Sequence, residues 1–237
     1  MKILLVNDDS IQAPAIDFLA KMLKKYGEVI VFAPDVEQSG KSHAMTFFTG
    51  LKAEEVMGRD YKCYKVYGTP GDCVRLGLSL YKDIDLVVSG INDGFNIGND
   101  ILYSGTVAAC FEANLHGVNS IALSSYRHCL DNIYPYVEEV FDYTLNLLKK
   151  ANKLALLNVN FPREIKANYR LIVTKMGILK DITNVKLKED GKYHYQEYNL
   201  YYEDDINIDY QAIEHGHISI TPLTINRTDN ELYKLLK

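Results

Sequence analysis

The 237-residue chain has no tryptophan, six prolines and four cysteines. The cysteines lie within apolar or helical patterns, and no two of them form a Cys-x-x-Cys pair: Cys63, Cys73, Cys110 and Cys129. Paired spacings are typical of zinc sites and redox centres, and dense cysteine frameworks are typical of small secreted domains. We therefore expect four buried free thiols, a reducing compartment and a cytoplasmic location.

Long apolar runs and an excess of basic residues are also missing. No segment approaches the ~20 apolar residues of a membrane-spanning helix, and the first residues lack the apolar core of a signal peptide. The formal net charge is −5, whereas proteins that bind nucleic-acid polymers usually present a basic face. We therefore expect neither a membrane nor a nucleic-acid polymer as partner, while a mononucleotide remains compatible with this charge.

The sequence does contain an alternation of strand-like and helix-like segments. Apolar runs predict buried strands at 3–6, 28–33 and 84–88, and apolar residues at helical spacing predict helices at 14–26, 72–81 and 107–116. The segment 47–66 has a weaker pattern, in which the alternation at 61–66 suggests strands of a hairpin or a sheet edge. This order predicts an α/β fold, and the length allows one domain over 1–237.

Asn7, Asp8 and Asp9 directly follow the first predicted strand. Ligands of open α/β sheets bind at the carboxyl ends of strands, so these side chains should face a crevice. Two adjacent carboxylates repel each other, and a hard cation such as Mg²⁺, which prefers carboxylates together with neutral oxygen ligands, offsets that repulsion. The motif therefore suggests a metal site. A solvated turn in which Asp9 caps the next helix is the alternative that the motif alone leaves open.

A loop rich in Gly and Asn follows the predicted strand at 84–88 and leads to Ser104-Gly105-Thr106 at the start of a predicted helix. Glycines allow backbone N–H groups to approach a ligand closely, and a helix N-terminus favours anions. These are the features that a phosphate requires. An ordinary loop with a Ser or Thr helix cap is the alternative, and the glycine spacing does not match the G-x-G-x-x-G of dinucleotide-binding folds.

The loop 34–43 follows the second predicted strand, so it should lie over the same edge of the sheet and bring Ser39 to the site. Its Gly40-Lys41-Ser42 string is not a P-loop, because Asp35 occupies the position of the first P-loop glycine and no helical pattern follows. Without the other two motifs, a polar surface loop would be the simpler interpretation.

Together these motifs resemble the SurE survival proteins, a family of metal-dependent nucleotidases. The resemblance extends over nearly the whole chain, in the order of the family, through these strings: NDDS at 7–10, APAI at 13–16, APDVEQSGKSHAMT at 33–46, YGTPGDCV at 67–74, SGINDGFNIGNDILYSGTVAACFEA at 89–113, LNVNFP at 157–162 and SITPL at 219–223. The long central string is highly specific. One departure is Ser10, where the family usually has glycine; a positive φ there would strain the serine.

The resemblance implies a Rossmann-like three-layer α/β sandwich with a mainly parallel sheet and a protruding β-hairpin arm used in oligomerisation. It implies one divalent cation per subunit, Mg²⁺ or Mn²⁺ with Ca²⁺ as an alternative, held by Asp8, Asp9, Ser39 and Asn92. It implies phosphate contacts from Asn96, Ser104, Gly105 and Thr106. The implied reaction is hydrolysis of nucleoside 5′-monophosphates, and also of 3′-monophosphates, to nucleoside and phosphate. No motif identifies the residues that contact the base, and the resemblance implies broad tolerance.

These donors are chemically consistent with that reaction. Carboxylate, hydroxyl and amide oxygens are hard ligands, so magnesium, manganese or calcium is expected and zinc is not. Such a cation polarises a phosphoryl oxygen and lowers the pKa of a water, while Ser104, Thr106 and nearby N–H groups neutralise charge on the phosphoryl oxygens. Asp8 and Asp9 are the candidate catalytic residues, and either can serve as general base, with Asp9 preferred.

Two other functions fit part of the pattern. A catalytically silent nucleotide sensor would share the same fold. A phospho-accepting receiver domain also has an acidic pair after its first strand, but it requires an Asp where this chain has Ser89-Gly90, and the chain is much longer than one receiver. The six histidines share no metal spacing. His43 lies nearest the predicted site and is an alternative substrate contact, and Glu112 is assigned no role.

The segment 177–209 lies outside the α/β alternation and contains a tyrosine-rich stretch at 192–202. Aromatic residues favour strands, and an isolated two-stranded hairpin is only marginally stable in water. We therefore expect this arm to pack on a partner subunit, which agrees with the arm-exchanged homodimers, sometimes paired into homotetramers, that the resemblance implies. A hairpin folded back on its own domain is the alternative.

Overall fold

The computed structural model describes residues 1–178, 185–195 and 204–237. Within these ranges the strands are β1 (Lys2–Val6), β2 (Glu28–Pro34), β3 (Ala53–Glu55), β4 (Lys62–Val66), β5 (Leu86–Asp93), β6 (Asn119–Ser125), β7 (Leu156–Asn160), β8 (Leu171–Val173), β9 (Val185–Leu187), β10 (Tyr193–Tyr195) and β11 (Ile218–Leu223). The helices are α1 (Pro14–Leu23), α2 (Pro70–Leu80), α3 (Gly105–Leu115), α4 (Leu130–Ala151), α5 (Asp209–Glu214) and α6 (Asn230–Leu236), with a 3₁₀ turn at Gly98–Leu102.

One sheet joins nine of these strands in the order β3-β4-β2-β1-β5-β6-β7-β11-β8. Strands β4, β2, β1, β5, β6 and β7 run parallel, while β3 and β11 run antiparallel to their neighbours β4 and β7. The chain moves outward from β1 to β2 and β4, then returns to the other side of β1 as β5. The strand order therefore reverses between β1 and β5, and such a switch point is where open α/β sheets bind ligands.

Helices cover both faces of the sheet. On one face, Ile3 and Leu5 share a core with apolar side chains of α1 and α4, and on the other face Leu4 and Val6 share a core with side chains of α2 and α3. Because successive strand residues point to opposite faces, the apolar run of β1 is buried on both sides. The predicted three-layer α/β sandwich with a mainly parallel sheet is therefore confirmed.

The predicted helices are present, and local capping explains where two of them begin. Before α2, the Thr69 hydroxyl accepts the N–H of Asp72 at 3.2 Å and the Asp72 carboxylate accepts the N–H of Thr69 at 2.9 Å, a reciprocal capping box. Before α3, the Ser104 hydroxyl accepts the N–H of Val107 at 3.0 Å. Both helices therefore start two residues earlier than the apolar pattern predicts.

The loop predicted to begin at residue 89 starts later than expected. Ser89 to Asp93 continue strand β5, with a shift of register against β6 between Ser89 and Asn92. Gly90, at φ +125°, allows this path, because a Cβ there would lie 2.3 Å from the carbonyl oxygen of Leu123. The predicted strand end at residue 88 is therefore wrong, and Asn92 is carried by the strand.

The predicted arm lies partly outside the described residues, which omit 179–184 and 196–203. Its described part contains β9 and β10, which pair antiparallel as a small sheet separate from the main one. The side chains of Val185, Leu187 and Tyr193 are exposed. A hairpin is therefore present in the arm, while its role in oligomerisation stays a prediction.

The cysteines agree with the predicted free thiols. Cys63, Cys73 and Cys110 are buried, and all four cysteines are free, but Cys129 is only half-buried, contrary to expectation. Burial raises the pKa of the Cys63 thiol to about 11 and that of the Cys110 thiol to about 12, so neither is a thiolate at neutral pH. In the part of the chain that the structure describes, no helix is both long and apolar enough to cross a membrane.

Asp209, the first residue of α5, fixes the root of the arm. Its buried carboxylate accepts the N–H of Gly177 at 3.0 Å and the N–H of Gly98 at 2.9 Å. Gly177 lies against the ring of Tyr210, where a Cβ would come within 2.2 Å of Tyr210 Cε1. One buried carboxylate therefore joins the start of the arm to the segment that precedes α3.

Replacing Gly177 with Ala should destabilise the fold. The methyl group would overlap the buried ring of Tyr210, and overpacking of this kind costs about 1–3 kcal/mol. Urea unfolding followed by circular dichroism measures the difference. Gly50→Ala is the control, because nothing lies within 4 Å of a Cβ at Gly50. Equal stabilities of the two variants would contradict the packing of Gly177 on Tyr210.

Candidate functional site

The candidate site lies at the switch point between β1 and β5. Asp8 and Asp9 follow β1, while Asn92 and Asp93 end β5. Asp8 is 3% exposed and Asp9 is half-buried. One carboxylate oxygen of Asp9 accepts the N–H of Asp93 at 3.2 Å. The turn after β1 is therefore tied to the neighbouring strand at the place where the acidic residues meet.

Asp8 is held by the start of α3. Thr106, which is fully buried, donates its hydroxyl to one oxygen of Asp8. Gly105 packs alongside, since a Cβ there would lie 3.1 Å from Asp8 Oδ2 and 3.2 Å from Pro70 Cγ. Helix α3 therefore points its N-terminus at the first carboxylate, and glycine is the residue that fits this contact without displacing Asp8.

The loop that carries Ser39 crosses over the same edge of the sheet. The N–H of Gln38 donates to the carbonyl oxygen of Asp8 at 2.8 Å. Further along, Ser42 donates its hydroxyl to the carbonyl oxygen of Leu102 at 2.6 Å. The loop after β2 is therefore fastened on one side of Ser39 to the turn after β1, and on the other side to the segment before α3.

These segments enclose a cleft of about 200 Å³. Five of the eight predicted site residues line it: Asp8, Ser39, Asn92, Asn96 and Ser104. The other three contact Asp8 or Asp93 from outside this lining: Asp9, Gly105 and Thr106. All eight predicted residues thus gather at one edge of the sheet, and their individual roles stay predictions.

Two of the predicted ligands form hydrogen bonds with residues close to them in sequence. The hydroxyl of Ser39 donates to the carboxylate of Glu37 at 2.7 Å. The side-chain amide of Asn92 donates to the carbonyl oxygen of Gly94 at 2.8 Å, which sets the orientation of that amide. Glu37, which is not among the predicted site residues, is an exposed residue whose negative charge lies close enough to raise the pKa of both Asp8 and Asp9.

Asn96 is fixed by buried polar residues that the sequence analysis did not assign to the site. Its side-chain amide donates to the hydroxyl of Ser124 at 2.8 Å, and its N–H donates to the side-chain oxygen of Asn160 at 2.9 Å. Its carbonyl oxygen accepts the side-chain amides of Asn158 at 2.7 Å and Asn160 at 3.0 Å. Polar residues within the apolar pattern of β7 were the signal that could have identified this network, because buried amides need partners.

Burial changes the acidity of both carboxyl groups. It raises the pKa of Asp8 above the ordinary value of 3.8, although hydrogen bonds from the side chain and backbone of Thr106 oppose the change. Burial, followed by repulsion from Asp8, raises the pKa of Asp9 to about 7. In both cases the negative charge is unfavourable in its surroundings, and a bound cation would relieve it.

The donor groups around the cleft suit a hard cation. Two carboxylates, a hydroxyl and an amide oxygen match Mg²⁺ or Mn²⁺ and contain none of the sulfur or imidazole ligands typical of zinc. Among the residues that the structure describes, no group of three or more His, Cys, Asp or Glu side chains is arranged to hold a metal. A cation here would therefore combine the acid pair with neutral oxygen ligands and water.

The turn after Asp9 contains a residue with a positive φ, which glycine adopts more easily than serine. Ser10 has a φ of +85°, a conformation that costs a residue other than glycine roughly 1–3 kcal/mol. Asn7 supports the turn by donating its side-chain amide to the carbonyl oxygen of Ser10 at 2.8 Å. The serine is therefore strained, as the departure from the family pattern suggested, while Asp8 and Asp9 keep their positions at the cleft.

His43 and Glu112 form a cluster behind the loop after β2. The Glu112 carboxylate, 1% exposed, lies 2.9 Å from His43 Nε2, 2.8 Å from the Arg75 guanidinium and 3.1 Å from His116 Nε2. Burial would raise the pKa of Glu112, but the hydrogen bonds from His43 and Arg75 outweigh it and lower the pKa to about 2. His43 therefore fastens the loop to α3 and is not among the residues that line the cleft.

The chain is similar to known proteins of one family. A family model described as "Survival protein SurE" matches residues 3–181. The curated protein "5′-nucleotidase SurE" of Petrotoga mobilis is 36% identical over 264 residues, which cover 100% of this chain and 98% of that protein. The protein of the same description from Fervidobacterium nodosum is 38% identical over 254 residues, which cover 100% of this chain and 96% of that protein.

A solved structure has the same fold. The crystal structure of the SurE protein from Aquifex aeolicus matches with a TM-score of 0.79 at 34% sequence identity, covering 100% of this chain and 98% of that chain. The similarity therefore extends over all the segments that form the cleft.

Removing the charge of Asp9 should stabilise the protein when no metal is present. Because its pKa rises from 3.8 to about 7 on folding, the folded chain holds a proton that the unfolded chain releases, and stability falls as the pH rises through that interval. Asp9→Asn lacks this titration. In excess EDTA we expect the variant to be more stable than the wild type by about 1–3 kcal/mol at neutral pH and above, with no difference near pH 4.

Urea unfolding at a series of pH values measures this difference. Asp131→Asn is the control, because Asp131 is an exposed acid at the start of α4 and should follow the wild type. Parallel stability profiles for the wild type and Asp9→Asn would contradict the raised pKa of Asp9, which burial and then repulsion from Asp8 explain.

Proposed function

Because this chain belongs to the survival protein SurE family, we propose that it is a 5′-nucleotidase whose catalytic centre is the cleft between β1 and β5. It hydrolyses nucleoside 5′-monophosphates to nucleoside and phosphate. The family match over 3–181 and the full-length similarity to curated 5′-nucleotidases support this activity. Hydrolysis of 3′-monophosphates is the further proposal that the family resemblance suggests.

The observation that carries the proposal is the meeting of Asp8 with the N-terminus of α3. An adjacent pair of carboxylates favours a cation, whereas the N-terminus of a helix favours an anion. The hydrogen bond from Thr106 to Asp8 brings these two environments into contact. A metal ion paired with a phosphate group satisfies both, and a phosphomonoester supplies that phosphate.

We assign one divalent cation per subunit to Asp8, Asp9, Ser39 and Asn92, with Mg²⁺ or Mn²⁺ preferred and Ca²⁺ as the alternative. When bound, the cation supplies polarisation of a phosphoryl oxygen and a water of lowered pKa. The raised pKa values of Asp8 and Asp9 support the assignment, because the two carboxylates are unfavourable neighbours without a positive charge between them.

The phosphate is assigned to Asn96, Ser104, Gly105 and Thr106. Asn96 and Ser104 line the cleft, and Gly105 and Thr106 form the first turn of α3, where backbone N–H groups have no partner within the helix. The side chain and the backbone of Thr106 both hydrogen-bond to Asp8, so this residue orients the carboxylate at the helix start where the phosphate is assigned. Such donors stabilise charge on the phosphoryl oxygens in the transition state.

Asp9 is the preferred general base. Asp8 is 3% exposed and accepts the Thr106 hydroxyl, whereas Asp9 is more exposed and accepts only a backbone N–H in the described contacts. A water molecule can therefore reach Asp9 more easily, which supports Asp9 as the group that takes the proton of the attacking water.

A catalytically silent nucleotide sensor of the same fold is the alternative function. Both functions require nucleotide binding, so binding alone does not separate them. Incubating the pure protein with AMP and Mn²⁺ and measuring released phosphate separates the enzyme from the sensor. A panel of 5′- and 3′-nucleotides and short polyphosphate then defines the substrate range.

The assembly and location of the protein are further proposals. We propose that residues 1–237 form one domain, with 177–209 as an arm that joins two subunits into a homodimer, or two such dimers into a homotetramer. The exposed apolar side chains of β9 and β10 support a partner surface there. The free cysteines support a cytoplasmic location.

Replacing Asp9 with Asn should abolish most AMP hydrolysis at saturating Mn²⁺. The substitution removes one of the two formal charges among the assigned ligands, and we expect kcat/KM to fall by about 100-fold or more. Phosphate release measures the loss, and circular dichroism checks that the fold is retained. Asp131→Asn should keep wild-type activity; near-full turnover by Asp9→Asn would show that the assignment is wrong.

Deleting residues 181–203 behind a short Gly-Ser linker should convert the protein to a monomer. The deletion removes β9 and β10, whose apolar side chains need a partner surface. Light scattering measures the mass in solution. The control inserts the same linker after Gly191, at the turn of the hairpin, and keeps both strands. A deletion variant that stays fully dimeric would show that the arm does not build the interface.

A further inference from the structure

A second, larger cleft adjoins the proposed phosphate site. It has a volume of about 630 Å³. Phe95 lines both clefts, and the adjacent residues Tyr126 and Arg127 line the larger and the smaller one respectively. The two clefts therefore share a wall, and a ligand with two parts could occupy both.

Three side chains of the larger cleft follow neighbouring parallel strands. Phe95 follows β5, Tyr126 follows β6 and Arg163 follows β7. These strands are adjacent and parallel to β1, so their carboxyl ends share the edge at which Asp8 lies. The rule that ligands bind at this edge applies equally to the region over β6 and β7.

The shared wall is aromatic. The rings of Phe95 and Tyr126 have centroids 5.4 Å apart and meet edge to face at 66°. The guanidinium of Arg163 lies 5.2 Å from the centroid of the Tyr126 ring, within the range of a cation–π contact. Tyr126 is 37% exposed and lines the cleft, so part of its side chain is accessible to a ligand there.

Other lining residues of the cleft come from α5 and the turn before β11. Ile213 supplies an apolar surface there. Gly216, at φ +75°, lets this turn approach Lys166, because a Cβ would lie 2.7 Å from Lys166 Cγ. Because Phe95 also packs against the buried apolar cluster that contains Ile213, the apolar lining continues from the aromatic wall to α5, and such a surface suits a flat ring.

Charge and size distinguish the two clefts. The larger one is lined by two cations and two acids, whose formal charges cancel: Arg163, Lys166, Glu164 and Glu214. Its volume of about 630 Å³ falls within the range of small-molecule sites, whereas the 200 Å³ of the smaller one does not. The smaller cleft suits a phosphate and a cation, and the larger suits an uncharged planar group with polar edges.

We propose that the larger cleft binds the base of the nucleotide, stacked on Tyr126 beside Phe95, while the phosphate occupies the smaller cleft. This inference rests on the proposed nucleotidase function and assigns the part of the substrate that the function leaves open. Stacking on an aromatic ring tolerates every base, because every base has a π face. Purines present the larger face, so purine nucleotides gain more from this wall than pyrimidine nucleotides.

Ribose 5-phosphate provides the substrate that lacks only the base. In Tyr126→Ala, the ratio of kcat/KM for AMP to kcat/KM for ribose 5-phosphate should fall about tenfold, the loss expected for one base stacked on an aromatic ring. Tyr126→Phe keeps the ring and should restore the ratio. Tyr143→Ala is the matched control, because Tyr143 lies on α4 and is 38% exposed, as Tyr126 is at 37%.

The outcomes separate this inference from the proposed function. If the wild type hydrolyses AMP and Tyr126→Ala leaves the ratio unchanged, the base subsite is wrong and the nucleotidase function stands. If the wild type hydrolyses neither substrate, the nucleotidase function is wrong. In that case saturation-transfer NMR with adenosine in excess EDTA tests the base subsite. An adenosine signal that is present with the wild type and lost in Tyr126→Ala supports the subsite. The absence of a signal with the wild type, or equal signals with the two proteins, overturns it.

Discussion

Two adjacent carboxylates at the end of β1, one buried and one half-buried, are the constraint on which the rest of this structure depends. The apolar run of β1 places the acids at the centre of the sheet, where water cannot fully solvate their charge. Neighbouring elements donate hydrogen bonds to the two carboxylates: the Thr106 hydroxyl of α3 donates to Asp8, and the N–H of Asp93 in β5 donates to Asp9. The proposed cation completes this compensation, so metal binding and local stability share one cause.

The loops around the acids are fixed largely by contacts with one another. Gln38 bonds to the turn after β1, and Ser42 bonds to the segment before α3. Glu112 then holds His43 from the side of α3. Ser39, although exposed, therefore lies on a loop with anchors on both sides. A loop held in this way loses little conformational entropy when a ligand binds, which favours tight and specific recognition.

The sequence predicted those parts of the fold and site that depend on local pattern. The buried strands, the acid pair and the Ser-Gly-Thr helix start are each visible within a few residues. The continuation of β5 was not, because it depends on the approach of Gly90 to Leu123 on another strand. The network around Asn96 and the wall of Tyr126 and Arg163 likewise join residues from different strands. Single residues that meet only after folding leave no motif in the sequence.

The carboxylate of Asp209 accepts the N–H groups of both Gly98 and Gly177. The same carboxylate therefore links the segment before α3 to the root of the arm. If the buried carboxylate loses either hydrogen bond, water does not replace the lost donor. Keeping one hydrogen bond therefore restricts the position of the other donor, and coupling of this kind is reciprocal. A displacement of Gly177 at the root of the arm would therefore be transmitted to Gly98, and a displacement of Gly98 to Gly177.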